Sequence, residues 1–244
     1  MEAVILAAGL GSRLKHHTRE TSKCLLAVGG ISILARMTDL ILAAGVKKIH
    51  VVVGHAADKV AATIRGRHVS YIFNPDYASS NAIVSMALAL PYVSGDFFSL
   101  PCDLLFDAAV LDAFLARRDG IVMAVDRSAP YSEAASKVTL NGERIVRVGK
   151  HIPASATDGE ILGMQAHYGK AGDKFRGYVM ANVRAGRRQL YNSDVIDGMI
   201  DEDAAPVFAA DITGLRWCEV DDERGLLTAR GMFGDGYGAA RAHG

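Results

Sequence analysis

The chain has 244 residues, 50% of them hydrophobic and 22% charged, a composition that suits a folded globular protein and excludes a disordered chain. Lys and Arg total 27, as do Asp and Glu, so the formal net charge is zero, which argues against a nucleic-acid scaffold. Three widely spaced cysteines (Cys24, Cys102, Cys218) exclude a disulfide framework and a Cys-rich zinc centre, and no apolar run nears the roughly 18 residues of a membrane span.

The first predicted strand covers residues 4–8, a short apolar run that ends at Gly9 and reads as buried on both faces. A polar, glycine-punctuated loop follows over residues 9–22. Residues 31–44 place Ile33, Leu34, Met37, Leu40 and Ile41 at helical spacing, and Gly45 stands where a helix C-cap belongs. A strand over 48–53, a helix over 58–65, a strand over 69–74, a helix over 81–90 and a strand over 96–100 complete the front half. Such alternation predicts a parallel sheet with helices on both faces. Further strands are expected over 120–126, 137–140, 144–148, 165–168 and 213–220, with Asn141-Gly142 as a hairpin turn. Helices are expected over 172–185, 194–200 and 222–230. With no repeat or low-complexity linker, one domain over residues 1–230 is expected, followed by a glycine-rich flexible tail over 231–244.

Ligands of open parallel sheets bind beyond the carboxyl ends of the strands. Gly9 to Arg13, Gly54-His55 and Pro101-Cys102-Asp103 gather at that edge. In Leu6-Ala7-Ala8-Gly9-Leu10-Gly11-Ser12-Arg13, the glycines let backbone N–H groups approach an anion, and Arg13 and Lys23 supply two cations for a polyphosphate. The Gly-Lys-Ser/Thr ending of a Walker A loop is absent. The dinucleotide fingerprint is disfavoured too, because Leu14 stands at its third glycine and no acid stands near position 30.

This segment resembles the LAAGxGxR signature of nucleotidyltransferases that activate phosphorylated sugars and alcohols with a nucleoside triphosphate, of the MobA-like NTP transferase type. Ser22-Lys23 replaces the family's Pro-Lys, which alters loop stiffness and keeps the charge. The run Asn74-Pro75-Asp76-Tyr77, with Asn81 and Ser85, is similar to a stretch of the bacterial phosphocholine cytidylyltransferases. The resemblance implies that Leu6, Ala8, Gly9, Gly11, Ser12, Arg13, Asn81 and Ser85 border the nucleotide, and that Arg13 and Lys23 are catalytic. It also implies a Rossmann-like three-layer α/β sandwich with a mixed, mostly parallel central sheet.

Asp103 follows a hydrophobic strand, and a carboxylate there suits Mg²⁺, a hard ion that prefers oxygen. In Trp217-Cys218-Glu219-Val220-Asp221 the acids stand at i and i+2 and share one face of an extended segment. This looks like the family's late W-x-E-x-D segment, which implies that Asp221 joins Asp103 on the metal; Glu219 is expected either to support those ligands or to contact substrate. Lys150 resembles a mid-chain lysine of the inositol-1-phosphate cytidylyltransferases and is expected on the acceptor phosphate. Lys137 is a second candidate for that role, and Glu160 is expected to line the acceptor pocket.

The expected reaction moves CMP from CTP to a small phosphorylated alcohol or phosphonate, with Mg²⁺ as cofactor. Expected partners are CTP or another nucleoside triphosphate and a small phosphorylated acceptor, without nucleic acid or membrane. A homodimer is compatible with the sequence, and a reducing cytoplasm fits its cysteines. The alternatives are a sugar-1-phosphate nucleotidyltransferase using dTTP or UTP, and a nucleotide-binding regulator without turnover.

Overall fold

A computed structural model describes residues 1–234 except Arg65, Arg67, Ala129 and Ser132, and describes Ser12, Lys15 and His16 by backbone alone. In chain order the front half runs β1 (Glu2–Ala7), a small ribbon of β2 (Ala27–Val28) and β3 (Ile31–Ser32), α1 (Ile33–Ala43), β4 (Ile49–Val53), α2 (Ala57–Thr63), β5 (Val69–Phe73), α3 (Ala82–Ala89), β6 (Phe97–Pro101), β7 (Leu104–Phe106) and α4 (Ala108–Ala116). The remainder runs β8 (Ile121–Asp126), β9 (Lys137–Asn141), β10 (Arg144–Gly149), β11 (Gly159–His167), α5 (Gly169–Arg184), α6 (Asn192–Asp201), β12 (Val207–Asp211), β13 (Trp217–Glu219) and α7 (Glu223–Phe233).

Nine strands form one mixed sheet in the order β5-β4-β1-β6-β11-β8-β12-β10-β9. From β5 to β6 all neighbours are parallel, while β11 runs antiparallel to both β6 and β8. Alternate residues of β1 serve opposite cores. Ala3, Ile5 and Ala7 pack with Leu34, Met37 and Ile41 of α1 and Phe114 of α4. Val4 packs on the other face with Ile83 of α3, Phe175 of α5 and Ile196 of α6. This two-sided burial makes three layers and accounts for the unbroken apolar run at the start of the chain.

Several boundaries differ from expectation, each for a local reason. Residues 108–116 form an unanticipated helix, in which Val110, Leu111 and Phe114 are the buried side chains of an otherwise alanine-rich segment. The strand expected over 213–220 is only the three residues of β13, and a strand at 207–211 was not anticipated. β12 joins the central sheet beside β8, the chain turns at Gly214 (φ +80°), and β13 pairs with β7 outside that sheet. β11 starts six residues before the expected position 165, and its register against β8 shifts between Ile161 and Gln165. The helix expected to end at Arg65 stops at Thr63, and Arg65 lies outside the described residues. α7 continues to Phe233, inside the expected tail, the last ten residues of which also lie outside the described residues.

His167 ends β11 fully buried between two rings, with centroids 4.6 Å from Phe97 and 4.0 Å from Phe175. Neither ring nitrogen has a hydrogen-bond partner among the described residues. Burial, helped by the Arg176 charge, lowers its pKa to about 3. The unfolded chain therefore takes up a proton near pH 6.5 that the folded chain refuses until about pH 3. The stabilising difference is complete above pH 6.5 and shrinks as pH falls through that window. We expect His167→Phe to reduce the stability lost between pH 7 and pH 5 by about 2 kcal/mol relative to wild type, read by urea denaturation at both pH values. Equal acid losses in the two proteins would refute this.

Candidate active site

The first wall of the site is the turn after β1. Gly11 has φ +62°, a conformation that favours glycine, and its carbonyl accepts from the Leu14 N–H at 3.0 Å and the Thr18 hydroxyl at 2.8 Å. Leu14 is buried with Leu226 and Phe233 of α7, which anchors the turn and leaves the adjacent Arg13 side chain 66% exposed. The side chain of Ser12 lies outside the described residues. Lys23 opens a short 3-10 turn whose Cys24 is buried in the core.

The acids arrive from the two strands that form the small ribbon outside the central sheet. Asp103 lies in the turn from β6 to β7, and β13 pairs antiparallel with β7, setting Glu219 opposite Leu104. The Val220 N–H then donates to the Asp103 carbonyl at 2.9 Å, and the Val220 side chain is fully buried with Leu14. Carboxylates far apart in sequence are thereby fixed side by side. Lys23 Nζ lies 2.6 Å from Asp103 Oδ2 and 2.6 Å from Asp221 Oδ1, while Arg13 reaches Asp221 Oδ2 at 2.8 Å.

Burial acts to lower the pKa of Lys23, but the Asp103 and Asp221 carboxylates overcome it and hold the ammonium well above lysine's usual value. Glu219 is exposed, yet partial desolvation by the surrounding cluster pushes its carboxyl up to about 7, reinforced by the charges of Asp103 and Asp221 and opposed by Lys23 and Arg13. Asp103 Oδ1 is buried without a hydrogen-bond partner among the described residues. Oxygens of Asp103, Glu219 and Asp221 all lie within 4.8 Å of one another. An orphaned carboxylate oxygen amid hard oxygen donors fits a divalent ion such as Mg²⁺.

These groups border a cleft of about 620 Å³. It is lined by Leu6, Ala8, Gly9, Asn74, Tyr77, Asn81 and Ser85. Asn81 precedes α3, where its amide donates to the Gln189 carbonyl at 2.8 Å instead of capping the helix. Asn74 Nδ2 donates to Ser85 Oγ at 3.0 Å, and Asn74 Oδ1 accepts from the Asp76 N–H, closing the turn that carries Tyr77. Its lining also includes Lys150, Glu160, Gly163, Tyr191 and Trp217. Lys150 Nζ sits 4.9 Å from the centre of the Tyr191 ring. Trp217 Nε1 donates to Asp126 Oδ2 at 2.7 Å, and Glu160 has its pKa raised by burial and by Asp126.

The two candidate lysines separate. Lys150 is exposed at the cleft, whereas Lys137 is fully buried and donates to the carbonyls of Glu133 and Ala135 at 2.9 Å each. Lys137 is not among the residues that line the cleft, and its ammonium holds the loop before β9. Sequence reasoning overlooked Gln165, Asn192 and Ser193, all buried and all in the cleft wall. A glutamine between Met164 and Ala166 in an apolar strand was the available signal.

A family model for the MobA-like NTP transferase domain matches residues 3–170. The CMP-5'-(3-aminopropyl)phosphonate synthase of Streptomyces rubellomurinus is 30% identical over 91% of this chain and 37% of its own length. The choline-phosphate cytidylyltransferase of Haemophilus influenzae is 29% identical over 61% of this chain and 62% of its own. The chain thus spans less than two thirds of either relative. Among solved structures, the inositol-1-phosphate CTP transferase from T. maritima superposes with a TM-score of 0.79, at 23% identity over 96% of both chains, a likeness of fold. With the signature turn, the paired acids and the matched span together, the chain belongs to the MobA-like NTP transferase family.

Proposed function

We propose that this protein transfers CMP from CTP to a small phosphorylated alcohol or phosphonate and releases pyrophosphate. The observation that carries this reading is the convergence of Arg13, Lys23, Asp103 and Asp221 beside the glycine turn. By their names, one relative makes CMP-5'-(3-aminopropyl)phosphonate and another is a choline-phosphate cytidylyltransferase. An acceptor oxygen forms a bond to the α-phosphorus as the bond from that phosphorus to the pyrophosphate oxygen breaks. The acceptor is ionised near neutral pH, so the residues need only align two anions and offset charge on the leaving group.

In this reading Arg13 and Lys23 hold the β- and γ-phosphates, and Lys150 holds the acceptor's phosphoryl oxygens. Asp103 and Asp221 hold Mg²⁺, which when bound neutralises phosphate charge. Leu6, Ala8, Gly9, Asn81 and Ser85 border the nucleoside, and Glu160 faces the acceptor's amine. The protein acts as one domain, which extends past the expected residue 230 to at least Phe233 of α7. Its three cysteines are free and buried, which suits a reducing cytoplasm, and no helix among the described residues is long and apolar enough to cross a membrane.

The test is pyrophosphate release with each nucleoside triphosphate, Mg²⁺ and a panel of acceptors containing 3-aminopropylphosphonate, phosphocholine and sugar 1-phosphates. CTP with an amine-bearing acceptor is expected to react fastest. Release only with dTTP or UTP and a sugar phosphate would overturn the assignment. Glu160→Gln is expected to raise the acceptor KM about tenfold without changing the KM for CTP, since it removes a charged partner for the amine. An unchanged acceptor KM would remove Glu160 from the pocket's working residues.

A further inference from the structure

We propose that Lys23 is the resident cation of the acid cluster, so that a divalent ion binds there only as Lys23 leaves for the nucleotide's phosphates. This rests on the metal role given above to Asp103 and Asp221. The ammonium stands 2.6 Å from one oxygen of each aspartate. The ammonium therefore bridges the two groups to which the metal role is given. Two ionised carboxylates this close repel each other unless a positive charge intervenes, and Lys23 supplies one within the chain.

The ammonium takes one oxygen of each aspartate, and a divalent ion drawn to the same two carboxylates would meet its positive charge at close range. The backbone of Lys23 is fixed. The Leu26 N–H donates to its carbonyl at 3.1 Å, and the neighbouring Cys24 is fully buried. Exchange therefore falls to the side chain, whose four-carbon stem is flexible. The phosphates of a nucleotide in the adjacent glycine turn offer the ammonium another set of anionic partners. Ion and triphosphate then favour each other's binding, and the coupling is reciprocal by thermodynamic linkage.

The signature is a pair of effects with opposite signs. Removing the ammonium should tighten binding of the bare ion while slowing turnover. A residue that merely supports the fold would weaken both. Mn²⁺ serves as the probe, with binding read from loss of the free-ion electron paramagnetic resonance signal in the absence of nucleotide. Lys23→Met and Lys23→Gln, both close to lysine in stem length, are expected to bind Mn²⁺ at least tenfold more tightly than wild type. Adding Asp103→Asn to either variant should abolish that gain. Circular dichroism checks the fold, and the second variant guards against a defect peculiar to the first. If both folded variants bind Mn²⁺ no better than wild type, the proposal is overturned. The metal reading is scored separately in the same preparation. CTP turnover by wild type that EDTA abolishes leaves it standing, and turnover that survives EDTA overturns it together with the proposal.

Discussion

Asp103→Asn is expected to lower kcat by about 10²–10³-fold while leaving the far-ultraviolet circular dichroism unchanged. The substitution preserves shape and removes one charge from the cluster formed with Glu219 and Asp221. It leaves the Asp221 contacts to Lys23 and Arg13 available, so the two basic side chains keep an anchor. For that reason it is a cleaner test than Asp221→Asn, which takes a full charge from both cations at once. Loss of turnover with nucleotide binding retained separates an enzyme from a nucleotide-binding regulator. Undiminished pyrophosphate release would remove the metal role from this aspartate.

The second large effect is structural. Gly54 follows β4, and a Cβ there would lie 2.5 Å from Tyr77 Cβ and 2.6 Å from the Ala8 carbonyl oxygen. One of those neighbours is backbone, at the entrance to the glycine turn, so the clash cannot be relieved by rotating a side chain. Gly54→Ala is expected to destabilise the protein by about 2–3 kcal/mol, by analogy with overpacked cores. In a chain of this size that corresponds to a Tm lower by about 4–12 °C. Because Ala8 and Tyr77 both line the cleft, the KM for CTP should rise as well. A thermal melt within 1 °C of wild type, taken as about the precision of such a comparison, would show that the packing yields more easily than the geometry implies.

Legibility in the sequence tracked how local each signal was. The glycine turn is contiguous, so its backbone freedom and its basic residue were visible in the letters around Gly9, Gly11 and Arg13. The i, i+2 spacing of Glu219 and Asp221 was visible for the same reason. What the letters could not carry was the pairing of β13 with β7, two strands of three residues each with no periodicity to read. The choice between Lys137 and Lys150 depended on burial, which two basic residues on neighbouring strand ends do not reveal. The helix at 108–116 was hidden by its alanines, and the buried Asn192 by its place at a helix start.

The β7–β13 ribbon also constrains when, during synthesis, the enzyme can begin to work. Its first strand ends at Phe106 and its second at Glu219, with α4, β8 to β12, α5 and α6 made in between. A nascent polypeptide emerging from the ribosome can lay down the parallel strands β1, β4, β5 and β6 early, since domains tend to form from their N-terminal side. Its carboxylate pair stays incomplete until translation has passed Asp221. A growing chain that already grips a triphosphate with its glycine turn would therefore remain catalytically silent until every strand of its central sheet has been made.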